Sequence, residues 1–117
     1  MTFWRLPLSG AAHQRFRVAL SPAGLPLQAL IDLRYLPATD SWVISITDDA
    51  SGELLINRIP LVASYGPLND LLLPFRHLRD GHGLGSLVVI SAVEHPSTPD
   101  PAKDSLGEFF VLWGDPL

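Results

Sequence analysis

Apolar and polar residues alternate along residues 41–62 in two runs, which a short polar stretch separates. In the first run Trp42, Ile44 and Ile46 fall on one face, and this period of two is expected of a half-buried β-strand. Residues 48–52 read Asp-Asp-Ala-Ser-Gly, which favours a chain reversal because carboxylates bond nearby backbone N–H groups and glycine adopts positive φ. The pattern therefore predicts a β-hairpin, to which we expect the other strands to be added.

The second arm of this hairpin contains Pro60, which has no N–H to donate to a neighbouring strand and so indicates a sheet edge or a bulge. Further strands are predicted at residues 2–6, 14–20, 27–35, 86–93 and 108–113. Residues 66–74 lack the period of two, and we expect a loop with one helical turn there, which Pro74 ends before an extended stretch. The proline-rich residues 94–104 are expected to form a surface loop.

Together these elements predict a single all-β domain over residues 1–117, either a small barrel or a two-layer sandwich of about seven strands with one short helical turn. Residues 87–90 are continuously apolar, so both faces of that strand are expected to be covered. The residues expected in the core are Trp42, Ile44, Ile46, Ile31, Leu33, Tyr35 and Val88.

The composition of the 117-residue chain limits its possible functions. It contains no cysteine, so disulfides and thiolate metal sites are excluded. Its apolar runs are shorter than the roughly 20 residues that a membrane-spanning helix needs, and no membrane partner is expected. The formal charge is −4 and the basic residues are scattered singly along the sequence, so specific nucleic-acid binding is not expected.

Each candidate chemical motif in the sequence has a simpler structural explanation. The spaced glycines of residues 81–85 precede a strand rather than a helix, so they predict a turn and not a phosphate cradle. His77, His82 and His95 lack the spacing of a zinc site, and residues 48–52 lack the ligand pattern and closing glutamate of a calcium loop. No G-x-S-x-G elbow is present. We expect no catalytic residue, no cofactor and no bound metal.

Several short motifs, spread over nearly the whole chain, carry a resemblance through their order and spacing. They are Leu6-Pro7-Leu8, Gln14 with Phe16, Arg34-Tyr35 leading to Trp42, residues 48–52, 59–62 and 85–89, and Asp100, Asp104, Leu106, Gly107 and Glu108. In these positions the chain resembles the small baseplate plug family of contractile-tailed bacteriophages. The resemblance implies an all-β structural protein, not an enzyme, at the centre of the tail baseplate of the virion, assembled in the host cytoplasm. It also implies an oligomeric assembly whose partners are the hub, the end of the tail tube, the wedge and the tape measure.

The last predicted strand has apolar groups on both faces, which leaves two arrangements open. A central strand is covered on both sides within the domain, whereas an edge strand exposes aromatic side chains to a partner. Because aromatic and arginine side chains are enriched in interfaces, the residues assigned to a partner interface are Phe110, Trp113, Arg58, Pro60, Phe75 and Arg76. The alternative function, from a different class, is a free-standing small β-barrel that binds or processes a small ligand in its mouth.

Overall fold

The computed structural model describes residues 3–20, 27–78 and 85–114. Its strands are β1 (Phe3–Arg5), β2 (His13–Leu20), β3 (Leu27–Leu36), β4 (Ser41–Asp48), β5 (Leu54–Pro60), β6 (Ser86–Ser91) and β7 (Phe109–Gly114). Two short 3₁₀ helices, Leu73–Leu78 and Leu106–Glu108, complete the secondary structure of these residues. No helix in the described part of the chain is long and apolar enough to cross a membrane.

The strands form two antiparallel sheets that enclose one core. The first sheet has four strands in the order β2-β3-β4-β5, and the second has three strands in the order β1-β7-β6. Within the described residues the two sheets share no strand, and side chains from both pack into one apolar cluster. The all-β prediction is confirmed, and of the two predicted architectures the chain adopts the sandwich rather than the barrel.

The predicted hairpin is present as β4 and β5. The register between its strands shifts by one residue twice, and the shifts turn both Leu55 and Ile56 into the core. Arg58 has a φ of 53°, and its backbone N–H donates a 3.0 Å hydrogen bond to Ser45 Oγ. β5 is the outer strand of its sheet, so Pro60 occupies a bulged edge strand as predicted.

The predicted core is largely confirmed. Trp42, Ile44, Ile46, Ile31 and Leu33 are buried in the apolar cluster, Tyr35 is partly buried against it, and Val88 is buried on the opposite side of β6, outside the cluster. The continuously apolar strand β6 is also covered as predicted, because residues 86–89 are all buried.

Residues 61–72 cross between the sheets and protect the free edge of β6. Asp70 anchors this crossing segment, because its Oδ1 accepts hydrogen bonds from the N–H groups of Leu72 and Leu87 at 2.9 and 3.1 Å. Its Oδ2 accepts a 2.8 Å hydrogen bond from Ser86 Oγ. An edge strand that is covered in this way does not offer its backbone groups to another chain.

The position of the helical turn was predicted wrongly. The 3₁₀ helix Leu73–Leu78 begins where the turn was expected to end, and it occupies the stretch expected to be extended. Pro74 is its second residue, and proline is tolerated in a first helical turn because the N–H groups there have no intrahelical partner. The N–H of Phe75 donates a 2.9 Å hydrogen bond to the carbonyl of Leu72, which closes the entry to the helix.

The proline-rich residues 94–104 are also more than a surface loop. The indole N–H of Trp42 donates a 2.8 Å hydrogen bond to the buried carbonyl of Ala102. The carboxylate of Asp100 accepts a 2.8 Å hydrogen bond from the N–H of Ala63. These two contacts hold the segment against the core.

Candidate interaction surfaces

The outer side of the three-stranded sheet is apolar. Its side chains, which we call the apolar outer face, belong to Phe3, Val88, Ile90, Phe110 and Leu112. Val88 is fully buried, whereas the other four are half-buried. The sheet therefore presents partly exposed apolar side chains on the side that faces away from the core.

This face follows from the pairing of β7. The strand lies in the centre of its sheet, but its outer side is only partly covered, so neither predicted arrangement holds in full. Phe109, Val111 and Trp113 alternate into the core, so Phe110 and Leu112 point to the outside. The central strand thus contributes apolar side chains to the core and to the outer face at the same time.

A shallow groove borders the apolar outer face beside Phe110. It has a volume of about 220 Å³ and runs between the N-terminal residues 5–10 and the 3₁₀ helix Leu106–Glu108. The guanidinium carbon of Arg5 lies 4.6 Å from the centre of the Phe110 ring, a cation–π contact that covers part of the aromatic surface.

The structure treats the two aromatic residues of the predicted interface differently. Phe110 is half-buried on the apolar outer face, where a partner can reach it. Trp113 has no exposed surface and lies in the core, so it is not available to a partner in this fold and that assignment is corrected. Its indole nitrogen is buried and has no hydrogen-bond partner among the described residues.

The remaining members of the predicted interface lie elsewhere. Arg58 and Pro60 are exposed on β5, at the edge of the other sheet. Phe75 is partly buried against the core within its 3₁₀ helix. Arg76 belongs to the same helix, and its side chain lies outside the described part of the structure. The six residues therefore do not form one surface.

The outer side of the four-stranded sheet is rich in arginine, which the linear sequence does not reveal. Pairing of neighbouring strands in the order β2-β3-β4-β5 brings together a set of charged side chains, which we call the arginine face. Its members are Arg15, Arg17, Arg34, Arg58, His13, Asp32 and Asp49. The alternation of Arg15 and Arg17 with apolar residues, and that of Asp32 and Arg34 with apolar residues, was visible in the sequence. Only the strand register shows that these alternating positions lie side by side.

Asp32 lies at the centre of the arginine face. One of its oxygens, Oδ2, is 3.1 Å from His13 Nε2 and 3.3 Å from Arg15 Nε. Partial burial raises the pKa of the Asp32 carboxyl. The hydrogen bond and charge of His13, together with the two neighbouring guanidinium groups, outweigh that effect, so the pKa of Asp32 lies below its ordinary value.

The motifs considered for metal or phosphate chemistry do not form such sites among the described residues. No cluster of three or more potential metal ligands is present there. The predicted turn at residues 48–52 is confirmed: Asp48 Oδ1 accepts a 3.0 Å hydrogen bond from the N–H of Ala50, and Gly52 has a φ of 76°. His82 and most of the glycine-rich loop lie outside the described residues.

A comparison with protein families gives one match, and it covers nearly the entire chain. Residues 3–116 match the model of the family described as "Cyanophage baseplate Pam3 plug gp18". The chain belongs to this baseplate plug family. The resemblance inferred from the sequence motifs is therefore confirmed. No curated protein gives a significant match.

Membership of the baseplate plug family assigns the chain a structural role and a place in the phage tail baseplate. It also means that the protein interacts with other baseplate components.

Proposed function

We propose that this chain is a non-enzymatic structural subunit at the centre of a contractile tail baseplate in the virion, where it binds the hub through the apolar outer face. The observation that carries the proposal is the set of half-buried apolar side chains on the outer side of the three-stranded sheet. Apolar side chains that stay partly exposed on one sheet face favour an interaction site, because their burial against a partner releases the water that covers them.

Phe110 is the expected anchor of this contact. It lies on the central strand of the sheet, with the apolar side chain of Ile90 directly across on β6. Truncating an aromatic residue near the centre of an interface often costs about 2 kcal/mol or more of binding free energy, provided that the contact excludes water. The nearby groove of about 220 Å³ offers a recess for a side chain of the partner.

The small-ligand alternative is less well supported by the architecture. It depended on the mouth of a closed barrel, whereas the described strands form two separate sheets. The groove of about 210 Å³ lies on the outer side of the four-stranded sheet, and the groove of about 220 Å³ lies beside Phe110, so neither is the mouth of a barrel. We therefore favour the structural role, with the end of the tail tube, the wedge and the tape measure as further neighbours and assembly in the host cytoplasm.

Co-expression with the tail proteins encoded by neighbouring genes tests this proposal. We expect the tagged chain to co-purify with the hub protein and to form a complex of defined mass in native mass spectrometry. Phe110→Ala should abolish this complex without unfolding the chain. Leu68→Ala is the matched control, because Leu68 is an apolar side chain that is 47% exposed but lies on the crossing segment. Failure of the unmodified chain to bind any tail protein, or equal loss in both variants, would refute the proposal.

A further inference from the structure

The arginine face differs in charge from the rest of the molecule. Its four arginines and two aspartates leave two excess positive charges, whereas the whole chain carries −4, so the remaining residues carry −6. Half of the eight basic residues are concentrated on the outer side of one small sheet. Such a concentration on an acidic protein is a local electrostatic feature that favours a partner surface of opposite charge.

We propose that the arginine face binds an acidic segment of a neighbouring baseplate protein, with the carboxylates of that segment contacting Arg34 and Arg58. The proposal rests on the proposed function in one respect only: a subunit inside a baseplate is surrounded by other tail proteins. Everything else in it comes from the geometry of the four-stranded sheet.

Two of the arginines are already held in position by the fold. Arg15 Nε lies 3.3 Å from Asp32 Oδ2, and Arg17 Nε lies 3.0 Å from Asp49 Oδ2. These contacts use only the Nε group of each guanidinium, which has five N–H donors in total. The terminal nitrogens therefore remain for a ligand, and the side chains of Arg15 and Arg17 are 64% and 72% exposed.

The other two arginines have less of their charge compensated. Arg34 Nη2 lies 3.3 Å from His13 Nε2, which is not an acidic partner. Neither Arg34 nor Arg58 lies within ion-pairing distance of a carboxylate in the part of the chain that the structure describes. Guanidinium groups without a carboxylate bind one readily, because two parallel N–H···O bonds fit the planar fork.

The backbone at Arg58 gives an independent reason to examine this surface. A φ of 53° costs a non-glycine residue about 1 to 2 kcal/mol, so glycine is the easier choice for the bulge on energetic grounds. The bulge directs residue 58 into a groove of about 210 Å³, which Arg15, Arg34 and Asn57 also line. An arginine at a strained position beside a polar groove favours a role outside the fold itself.

The composition of the face favours a protein carboxylate over the phosphates of a nucleic acid. Asp32 and Asp49 are interspersed with the arginines, and their negative charges oppose a continuous row of phosphates. The groove has room for one or two carboxylate side chains rather than for a duplex. Ser45 and Thr47 on the floor of the groove add hydroxyl groups that can bond a carboxylate or a peptide backbone.

A titration of the ¹⁵N-labelled full chain with a hexaglutamate peptide tests the proposal, with hexaglutamine and a short DNA duplex as parallel probes at the same low salt. We expect saturable shifts of backbone amide signals in β4 and β5 with hexaglutamate and none with hexaglutamine. Arg34→Gln and Arg58→Gln should each weaken binding about fivefold. Lys103→Gln, which removes the same charge outside the arginine face, should change it by less than about twofold.

A further variant separates binding from folding. Arg58→Gly removes the charge and relieves the strained φ, so it should remain folded and still bind hexaglutamate about fivefold more weakly. Absence of binding, shifts confined to other surfaces, or tighter binding of DNA than of hexaglutamate would overturn the proposal. The isolated chain is used throughout, so these outcomes do not depend on whether the hub protein co-purifies.

Discussion

The neighbouring residues Phe109 and Phe110 allow a direct test of how β7 divides its side chains between the core and the surface. Phe109 is 4% exposed and points into the core, whereas Phe110 is half-buried on the apolar outer face. Truncation of Phe109 to alanine removes a fully packed ring and leaves a cavity, so we expect a loss of about 3 to 5 kcal/mol in the free energy of unfolding.

Truncation of Phe110 should cost less, for reasons that follow from its partial exposure. Complete burial of such a side chain contributes about 1.5 to 3 kcal/mol, and about two thirds of this is realised here, because most of the Phe110 side chain is covered. The cation–π contact with Arg5 adds about 0.5 to 1 kcal/mol at an exposed site. The sum is about 1.5 to 3 kcal/mol, smaller than the value expected for Phe109 because no enclosed cavity is left behind.

Urea denaturation followed by tryptophan fluorescence measures both values. With a slope of about 1.5 kcal/mol per molar urea, Phe109→Ala should lower the midpoint by about 2 to 3 M and Phe110→Ala by about 1 to 2 M. The slopes should stay the same, since neither change alters the surface exposed on unfolding to a large extent. Equal midpoints for the two variants would show that the faces of β7 are assigned incorrectly.

Two further predictions concern polar groups in and beside the core. In urea denaturation, Trp42→Phe should destabilise the fold by about 1 to 3 kcal/mol more than Trp113→Phe. Of the two indole N–H groups, only that of Trp42 donates a hydrogen bond within the described chain, and its acceptor is the buried carbonyl of Ala102. Similar losses in the two variants would contradict this prediction. The hydrogen bond from Tyr35 to Asp40 raises the pKa of Tyr35 to about 12. The tyrosinate absorbance of Tyr35, obtained by subtracting the titration of Tyr35→Phe, should therefore appear near pH 12. In Asp40→Asn it should appear at a lower pH. Because this pKa exceeds the unfolded value of about 10, the associated stability should be complete below pH 10 and lost between pH 10 and about 12, and a midpoint near 10 in the unmodified chain would refute the assignment.

The parts of the fold that could be predicted from the sequence depend on local signals. The period of two around Ile44 and the turn residues before Gly52 specify a hairpin without reference to the rest of the chain. Pro60 likewise indicated an edge or a bulge because the missing N–H is a property of the residue itself. The burial of β6 followed from its continuous apolar run.

The features that sequence reasoning missed depend on contacts between distant residues. The position of β7, which the sequence left open between centre and edge, results from pairing with the distant strand β1 and leaves no local signal. The buried hydrogen bond between Trp42 and Ala102 spans sixty residues. The arginine face also requires the register, because Arg15 and Arg34 come together only when β2 pairs with β3.

The two proposed contacts can be tested independently because they use opposite sides of the sandwich. The apolar outer face belongs to the three-stranded sheet and the arginine face to the four-stranded sheet, and packed sheets lie about 10 Å apart. Substitutions at that separation, with no shared partners, normally add within about 0.3 to 0.5 kcal/mol. The double variant Phe110→Ala/Arg58→Gln should therefore show the sum of the two single losses in unfolding free energy. Phe110→Ala alone should retain hexaglutamate binding, and Arg58→Gln alone should retain the hub complex. Loss of both activities in either single variant would mean that the faces are coupled through the core and do not act as separate contacts.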